Sequence, residues 1–228
     1  MKRILIVAAH PDDEALGMGA SIAKFISENN KVYVMFLADG ESSRFTGTSE
    51  VQASQLVNER KKCSVMAAEI LGCEIIKHCA FPDNRMDSVC FLDIVKEIEQ
   101  VISNIKPDTI FTHFGFDLNV DHRITSEAVM TAARPQPGSP VKRIFNFEVA
   151  SATGWLETNR AFTPNYHIAL NEEHWTKKLL ALDVYADEMR EFPHVRSVDA
   201  IEAQATYRGT QMGVTRSESF LLVRWIED

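Results

Sequence analysis

Two short segments of the chain concentrate imidazole and carboxylate side chains, each directly after an apolar run. The first, AHPDDE, spans residues 9–14. The second, FGFDLNVDHR, spans residues 114–123 and adds Asp117, Asp121 and His122. A catalytic zinc ion takes three protein ligands from His, Asp, Glu or Cys and keeps its fourth position for water. These residue types therefore indicate metal-dependent hydrolysis.

Three of these residues fit such a metal site, namely His10, Asp13 and His122. Pro11 fixes the backbone direction between the first two, so both side chains can turn toward one point. The neighbouring Asp12 is then free to accept a proton from metal-bound water, whose pKa the metal lowers toward neutrality. We expect Zn²⁺ as the cofactor, with another divalent transition metal as the alternative.

The paired aspartates also allow a structural interpretation. A carboxylate that follows proline often caps a helix, so Asp12 or Asp13 could be the N-cap of a helix beginning near Glu14. A helix start needs one cap rather than two carboxylates and a histidine, which favours the metal site. For His122 taken alone, a structural role at a helix start is the better interpretation. The metal prediction therefore depends on both segments meeting at one end of a sheet.

Hydrophobic periodicity predicts the elements that would bring the two segments together. Strands and helices alternate through the first 135 residues, which indicates right-handed crossovers and a three-layer α/β/α fold, in which a mostly parallel sheet has helices on both faces. In such a sheet, ligands bind outside the carboxyl ends of the strands. The predicted strands are 2–9, 32–38, 74–78, 108–113, 143–149 and 220–225, and the predicted helices are 14–29, 50–72, 91–105, 172–186 and 198–207.

Composition and charge narrow the class of protein. The 228 residues are 45% hydrophobic and 25% charged, as expected for one globular domain over residues 1–228. The net charge of −8 argues against a nucleic-acid partner. We find no membrane span and no signal peptide in the sequence, so we expect a cytoplasmic protein. The four cysteines are predicted to be free, buried thiols: Cys63, Cys73, Cys79 and Cys90.

The two motifs resemble those of the PIG-L/LmbE-type N-acetylglucosaminyl deacetylase superfamily. Residues 9–14, followed by LGMGA over 16–20, are similar to its first signature, and NVDHR over 119–123 is similar to its second. The segments FPD at 81–83 and YRG at 207–209 also resemble the family. The resemblance implies a Rossmann-like fold, a catalytic zinc and hydrolysis of N-acetyl groups on amino sugars.

The resemblance also implies residue roles. His10, Asp13 and His122 match the zinc ligands, and Asp12 matches the general base. Arg60 matches an arginine that contacts substrate, and it interrupts an otherwise apolar helical stripe.

A buried guanidinium needs an anionic or hydroxyl-rich partner. For Arg60, a structural ion pair with a nearby acid such as Asp83 is therefore the alternative to a substrate contact. Asp83 is itself a candidate substrate contact, although Pro-Asp-Asn also fits an ordinary turn.

The chain departs from the family pattern at Asn119, where many members carry a histidine. An amide can donate a hydrogen bond to a developing oxyanion, but it cannot deliver a proton. Two candidates for the general acid remain. Protonated Asp12 could return its proton to the leaving amine, or His194, in a polar loop that contains proline, could supply one.

The sequence therefore predicts a zinc-dependent deacetylase whose partner is a small N-acetylated amino sugar or sugar conjugate. An amidase acting on a larger N-acyl conjugate and a non-catalytic sugar- or nucleotide-binding Rossmann module are the alternatives, and a homo-oligomer is left open. Phosphorylated or nucleotide-linked sugars stay in the substrate class if four arginines cluster near the site. These are Arg60, Arg85, Arg123 and Arg196.

Overall fold

The described residues form one seven-stranded sheet with helices on both of its faces. The structure is a computed structural model that describes residues 1–44, 47, 49–155 and 160–227. The strands are β1 Arg3–Ala8, β2 Lys31–Ala38, β3 Glu74–Phe81, β4 Thr109–His113, β5 Arg143–Phe147, β6 Tyr166–Leu170 and β7 Arg216–Trp225. The helices are α1 Asp13–Ser27, α2 Glu50–Leu71, α3 Phe91–Ile105, α4 Val120–Ala132, α5 Ala150–Thr153, α6 Glu172–Val184 and α7 Val198–Gln211.

The strand order is β3-β2-β1-β4-β5-β7-β6. The first five strands pair in parallel, whereas β7 runs antiparallel to both of its neighbours, β5 and β6. Helices α1, α2, α6 and α7 contribute to the apolar core on one face, and α3 and α4 contribute to the core on the other. The predicted three-layer α/β/α fold with a mostly parallel sheet is confirmed.

The two motif segments meet where the strand order reverses. Strands β1 and β4 are neighbours, and the chain leaves β1 toward β2 on one side but leaves β4 toward β5 on the other. Such a switch point opens a crevice at the carboxyl edge of the sheet, where ligands bind in open α/β folds. The segments at 9–14 and 114–123 follow these two strands directly.

Some elements differ from the sequence prediction. Strand β6 was not predicted, because it is a short edge strand in which buried and exposed positions are mixed. Strand β7 begins at Arg216, four residues before its predicted start. The prediction missed this part because residues 217–219 read SES, which is not an apolar run. Among the described residues, we find no helix long and apolar enough to cross a bilayer.

The cysteine prediction is partly wrong. All four cysteines are free thiols, as predicted. However, only Cys79 is buried, whereas Cys63 and Cys73 are half-buried and Cys90 is exposed. Cys90 immediately precedes α3, outside the apolar stripe that this helix turns toward the core.

Helix α1 is kinked at Met18, and a buried ion pair between Lys178 and Glu218 contacts the helix on both sides of the kink. Met18 has non-helical backbone angles, φ −155° and ψ 23°. The Lys178 ammonium donates to the carbonyl of Leu16 at 2.9 Å, on one side of the kink. The Glu218 carboxylate accepts the Ser21 N–H at 2.6 Å on the other side. The two side chains also pair with each other at 2.5 Å. Together they satisfy backbone groups on both sides of the kink that would otherwise lose their helical hydrogen bonds.

We expect Lys178→Met to destabilise the fold strongly. Lys178 is 3% exposed and Glu218 is 6% exposed, so the substitution leaves a carboxylate buried without its cation. Removing one partner of a buried ion pair costs about 3–5 kcal/mol. Urea unfolding should show this as a lower midpoint. Lys177→Met is the matched control, because Lys177 pairs with Glu173 at 3.8 Å on the surface; an equal loss in both variants would contradict the prediction.

Candidate active site

His10, Asp13 and His122 converge on one point at the carboxyl edge of the sheet. His10 lies in the connection between β1 and α1, Asp13 is the first residue of α1, and His122 lies in the first turn of α4. Asp13 Oδ2 lies 3.3 Å from His10 Nδ1, and Asp13 Oδ1 lies 3.4 Å from His122 Nε2. One donor atom from each residue falls within 4.8 Å of the others. A single metal ion could therefore be bound by all three.

The chemistry of this cluster fits a cation. Asp13 is 1% exposed, and its Oδ1 has no hydrogen-bond partner among the described residues. Burial alone raises the pKa of a carboxyl, yet the imidazole of His122 holds the pKa of Asp13 well below its usual range. Buried polar atoms are normally paired. An ionised, buried carboxylate with one such oxygen, set between two imidazoles, is the donor set that zinc takes.

Further carboxylates orient the two imidazoles. His10 Nε2 lies 3.0 Å from both Asp83 Oδ1 and Asp121 Oδ2. His122 Nδ1 lies 3.3 Å from Asp117 Oδ2. A metal-binding histidine usually has its other nitrogen held by a carboxylate in this way. Asp117 and Asp121 stand out in the sequence but have no predicted role, because spacing alone does not show which nitrogen each one faces.

A second group of residues could also hold a cation, but its oxygens are already used. His10, Asp83 and Asp121 lie within reach of one ion. However, Asp121 accepts the backbone N–H groups of Asn84 at 2.6 Å and Met86 at 3.0 Å. Asp83 accepts the Asn84 side-chain amide at 3.0 Å. The group therefore supports His10 rather than forming the better metal site.

Asp12 has a strained backbone and a carboxylate that is not used as a helix cap. Its φ is 140°, a region that residues other than glycine rarely adopt. Asp12 occupies the N-cap position of α1, as the structural interpretation allowed, but its side chain makes no capping hydrogen bond, so its carboxylate does not act as the cap. Its Oδ2 instead lies 3.1 Å from the Arg196 guanidinium. Burial raises the pKa of Asp12 to about 6, against the opposing effect of Arg196.

His113, at the end of β4, packs behind the cluster. It is fully buried, and its ring stacks on that of His122 with centroids 3.9 Å apart. Its Nε2 accepts the backbone N–H of Ala9 at 2.8 Å. Burial lowers the pKa of His113 to about 4, so the ring stays neutral and can act as this acceptor.

A polar cavity of about 150 Å³ opens above the cluster. Six of the eight predicted site residues line it: His10, Asp12, Arg60, Asp83, Asn119 and His122. The other two, Asp13 and His194, are absent from the described lining residues. The remaining described lining residues are Pro11, Gly40, Ser43, Arg44, Asn84, Ser151, Ala152, Glu188 and Arg196.

Arg60 is both on the cavity wall and in a buried ion pair. Its Nε donates to Glu41 at 2.9 Å and its Nη2 donates to Glu41 at 2.6 Å, and it also contacts Glu188. The structural ion pair predicted as the alternative for Arg60 is therefore present, but its partners are Glu41 and Glu188 rather than the predicted Asp83. The Arg60 pairing with Glu188 joins residues 128 positions apart, a separation that sequence spacing does not reveal.

Two of the four arginines expected near the site line the cavity. Arg196 joins Arg60 there, and so does Arg44, to which no sequence motif pointed. Arg85 and Arg123 are absent from the described lining residues. All three wall arginines are bonded to carboxylates: Arg44 and Arg60 to Glu41 and Glu188, and Arg196 to Asp12 and Glu188.

Asn119 has a structural reason for being an amide. Its Oδ1 accepts the N–H groups of Asp121 at 2.8 Å and His122 at 3.4 Å, which makes it the N-cap of α4. Its Nδ2 donates to Asn84 Oδ1 at 3.0 Å. A side-chain amide carries two N–H donors; the second has no partner among the residues that the structure describes, so it is available to a ligand in the cavity. Its predicted oxyanion role stays a prediction.

His194 lies beside the cavity rather than on its wall. Its Nδ1 accepts the backbone N–H of Arg196 at 3.0 Å, and its ring meets that of Trp155 edge-on, with centroids 5.9 Å apart. It thus supports the loop that carries Arg196. Its predicted role as general acid stays a prediction.

We expect His194→Ala to lower kcat by less than tenfold, because the residue is not among those that line the cavity. General acid–base catalysis contributes about 10²–10⁴-fold. Steady-state acetate release therefore separates the two roles. A loss of 100-fold or more, with the midpoint of thermal unfolding unchanged, would restore His194 as the general acid.

A Rossmann-like sheet with a buried His–Asp–His cluster at its switch point, beside a further carboxylate, defines a class of α/β proteins whose site residues are of the types that bind a catalytic metal. Residues 5–133 match the family model described as PIG-L, GlcNAc-PI de-N-acetylase. The chain belongs to this deacetylase family, and the resemblance inferred from its motifs is confirmed.

A curated relative agrees with this assignment, and solved structures share the fold. The chain is 31% identical over 186 residues to the uncharacterized deacetylase YaiS of Escherichia coli K12, covering 79% of this chain and 89% of the relative. N,N'-diacetylchitobiose deacetylase from Pyrococcus horikoshii superposes with a TM-score of 0.76 at 18% identity, over 98% of this chain and 84% of that one.

One structural neighbour has a different activity. GalB, a 4-carboxy-2-hydroxymuconate hydratase from Pseudomonas putida KT2440, also superposes with a TM-score of 0.76, at 21% identity and over 100% of this chain and 99% of that one. Identities this low show a shared fold alone. A fold does not by itself determine a reaction, so the reaction has to be argued from the site.

Proposed function

We propose that the protein is a zinc-dependent N-deacetylase that hydrolyses the acetamide of an amino sugar or amino-sugar conjugate. The observation that carries the proposal is the buried cluster of His10, Asp13 and His122. Asp12 lies next to this cluster but pairs with Arg196 and is not one of its three members. When bound by these three residues, zinc supplies Lewis-acid polarisation of a carbonyl and lowers the pKa of a bound water. The family membership supports the same reaction.

Asp12 is the residue placed to move protons. Its carboxylate lines the cavity, and its raised pKa of about 6 lies close to neutral pH, where a group that both accepts and donates is most effective. We assign to it the removal of a proton from the attacking water and the return of that proton to the leaving amine. The free N–H of Asn119 would donate to the oxyanion.

The cavity favours an uncharged sugar over a phosphorylated one. Each guanidinium on its wall already has a carboxylate partner, as described for Arg44, Arg60 and Arg196. Its volume of about 150 Å³ is below the ~300 Å³ typical of pockets for small molecules. We therefore propose that the acetamide and its sugar ring enter while the rest of a conjugate stays outside. The cytoplasm remains the compartment that we propose.

Acetate release from a panel of N-acetylated compounds tests this function. We expect the zinc-loaded protein to release acetate from N-acetylglucosamine, N,N'-diacetylchitobiose or a neutral N-acetylglucosaminyl conjugate. A chelator should abolish the release, and added zinc should restore it. N-acetylglucosamine 6-phosphate serves as the charged comparison and should react more slowly. Stoichiometric zinc without acetate from any compound would contradict the proposal and favour an amidase with larger acyl substrates or a hydratase.

A further inference from the structure

The turn that follows helix α6 contacts Asp12 through two separate chains of hydrogen bonds. The first chain begins at Tyr185, which is 2% exposed. Its hydroxyl donates to Glu14 Oε1 at 2.8 Å. The other oxygen of Glu14 accepts the backbone N–H of Asp12 at 3.1 Å. Tyr185 therefore fixes Glu14, and Glu14 fixes the backbone of Asp12.

The second chain begins three residues further on, at Glu188, which is 3% exposed. Glu188 Oε2 accepts from Arg196 Nη1 at 3.0 Å. The same Nη1 donates to Asp12 Oδ2 at 3.1 Å. Arg196 is also held through its Nε, which donates to Ser151 at 2.7 Å. Glu188 thus fixes the guanidinium that fixes the Asp12 carboxylate.

Asp12 needs such support because its own conformation is unfavourable. Its φ of 140° is rare for a residue with a side chain. Backbone strain of this kind persists only where the surrounding structure enforces it. The Asp12 side chain makes no capping bond to α1 that could do so. The two chains from the α6 turn act on its backbone and on its carboxylate.

We infer that Tyr185 and Glu188 are positioning residues, which together hold Asp12 in the orientation required of the general base. The inference rests on the proposed function, because it takes Asp12 as the residue that moves the proton. Both residues lie outside residues 5–133, the part that matches the family model. The C-terminal third of the chain therefore sets the geometry of a motif at the N-terminus.

Tyr185→Phe removes one hydroxyl and tests the first chain. We expect kcat to fall about tenfold to hundredfold, since a misplacement of about 1 Å costs up to 10²-fold in rate. KM and the zinc content should stay within about twofold of the wild-type protein, because neither the cavity wall nor the three ligands change. Tyr33→Phe makes the same change on β2 and should leave kcat unaltered. A loss of zinc in Tyr185→Phe would show a role in the metal site instead and overturn the inference.

Glu188→Gln tests the second chain independently, and it also serves if Tyr185→Phe does not fold. We expect the same fall in kcat at unchanged zinc content. Crystal structures of both variants give a readout that does not need activity. The Asp12 carboxylate should move, or its φ should leave the positive region; unchanged Asp12 geometry together with wild-type kcat would refute the inference. If the wild-type protein releases no acetate but Asp12 moves as expected, then the proposed function fails while the positioning role stands.

Discussion

Asp12→Asn is expected to lower kcat for acetate release by at least about 10²-fold while the protein keeps its zinc, since general base catalysis contributes about 10²–10⁴-fold. The amide has nearly the same shape as the carboxylate but cannot accept a proton from water. The three proposed ligands, His10, Asp13 and His122, are untouched, so the metal content should match that of the wild-type protein.

The measurement pairs steady-state acetate release with metal analysis of the same preparation. Asp199→Asn is the matched control, because Asp199 is an exposed residue in the first turn of α7 and should have no effect on kcat. An Asp12→Asn variant that turned over substrate normally would exclude Asp12 as the base. Loss of zinc from the same variant would instead mean that Asp12 contributes to binding the metal.

His122→Ala is expected to produce the opposite pattern, with loss of the metal as the primary effect. His122 Nε2 faces Asp13 Oδ1, the oxygen without a hydrogen-bond partner among the described residues. Mutation of groups that merely orient ligands weakens metal binding by about 10–100-fold, so removal of a ligand should weaken zinc binding by at least about 100-fold on the same scale. Activity should disappear at low zinc concentrations.

Competition with a chromophoric chelator measures that affinity directly. His167→Ala provides the control, since His167 lies on β6 and its Nδ1 pairs with Ser219, remote from the cluster in the strand order. Full zinc occupancy in His122→Ala at limiting zinc would disprove the ligand assignment. Circular dichroism should confirm that both variants are folded, because a histidine at the start of α4 also packs against His113.

The sheet and the meeting of the three candidate ligands could be predicted from the sequence for a physical reason. Both depend on short-range patterns, namely apolar runs of strand length and the residues that directly follow them. Once a parallel sheet is inferred, the ends of β1 and β4 fall on the same edge, and His10 and His122 come together as a consequence. The kink at Met18 and the edge strand β6 have no comparable local signal.

The partners of the site residues could not be predicted, because they come from distant parts of the chain. Glu188 lies in a turn that has no recognisable sequence motif, and it pairs with Arg60 of α2 and with Arg196. Asp83 is the acid that the sequence suggests for Arg60, whereas in the structure it holds His10 instead. Asn119 stands where the family pattern has a histidine, and its capping of α4 is visible only once the start of that helix is known.

Strand β7 has a consequence for how the molecule is made. It is the last of the seven strands along the chain, yet it lies inside the sheet between β5 and β6. During synthesis, the sheet therefore cannot be completed until residues 216–225 have left the ribosomal exit tunnel. The motifs at 9–14 and 119–123 have been synthesised well before that point. Glu218, which holds helix α1 through the Ser21 N–H, arrives with that strand. Helix α1, whose first residue is the proposed ligand Asp13, therefore lacks this support until β7 has joined the sheet.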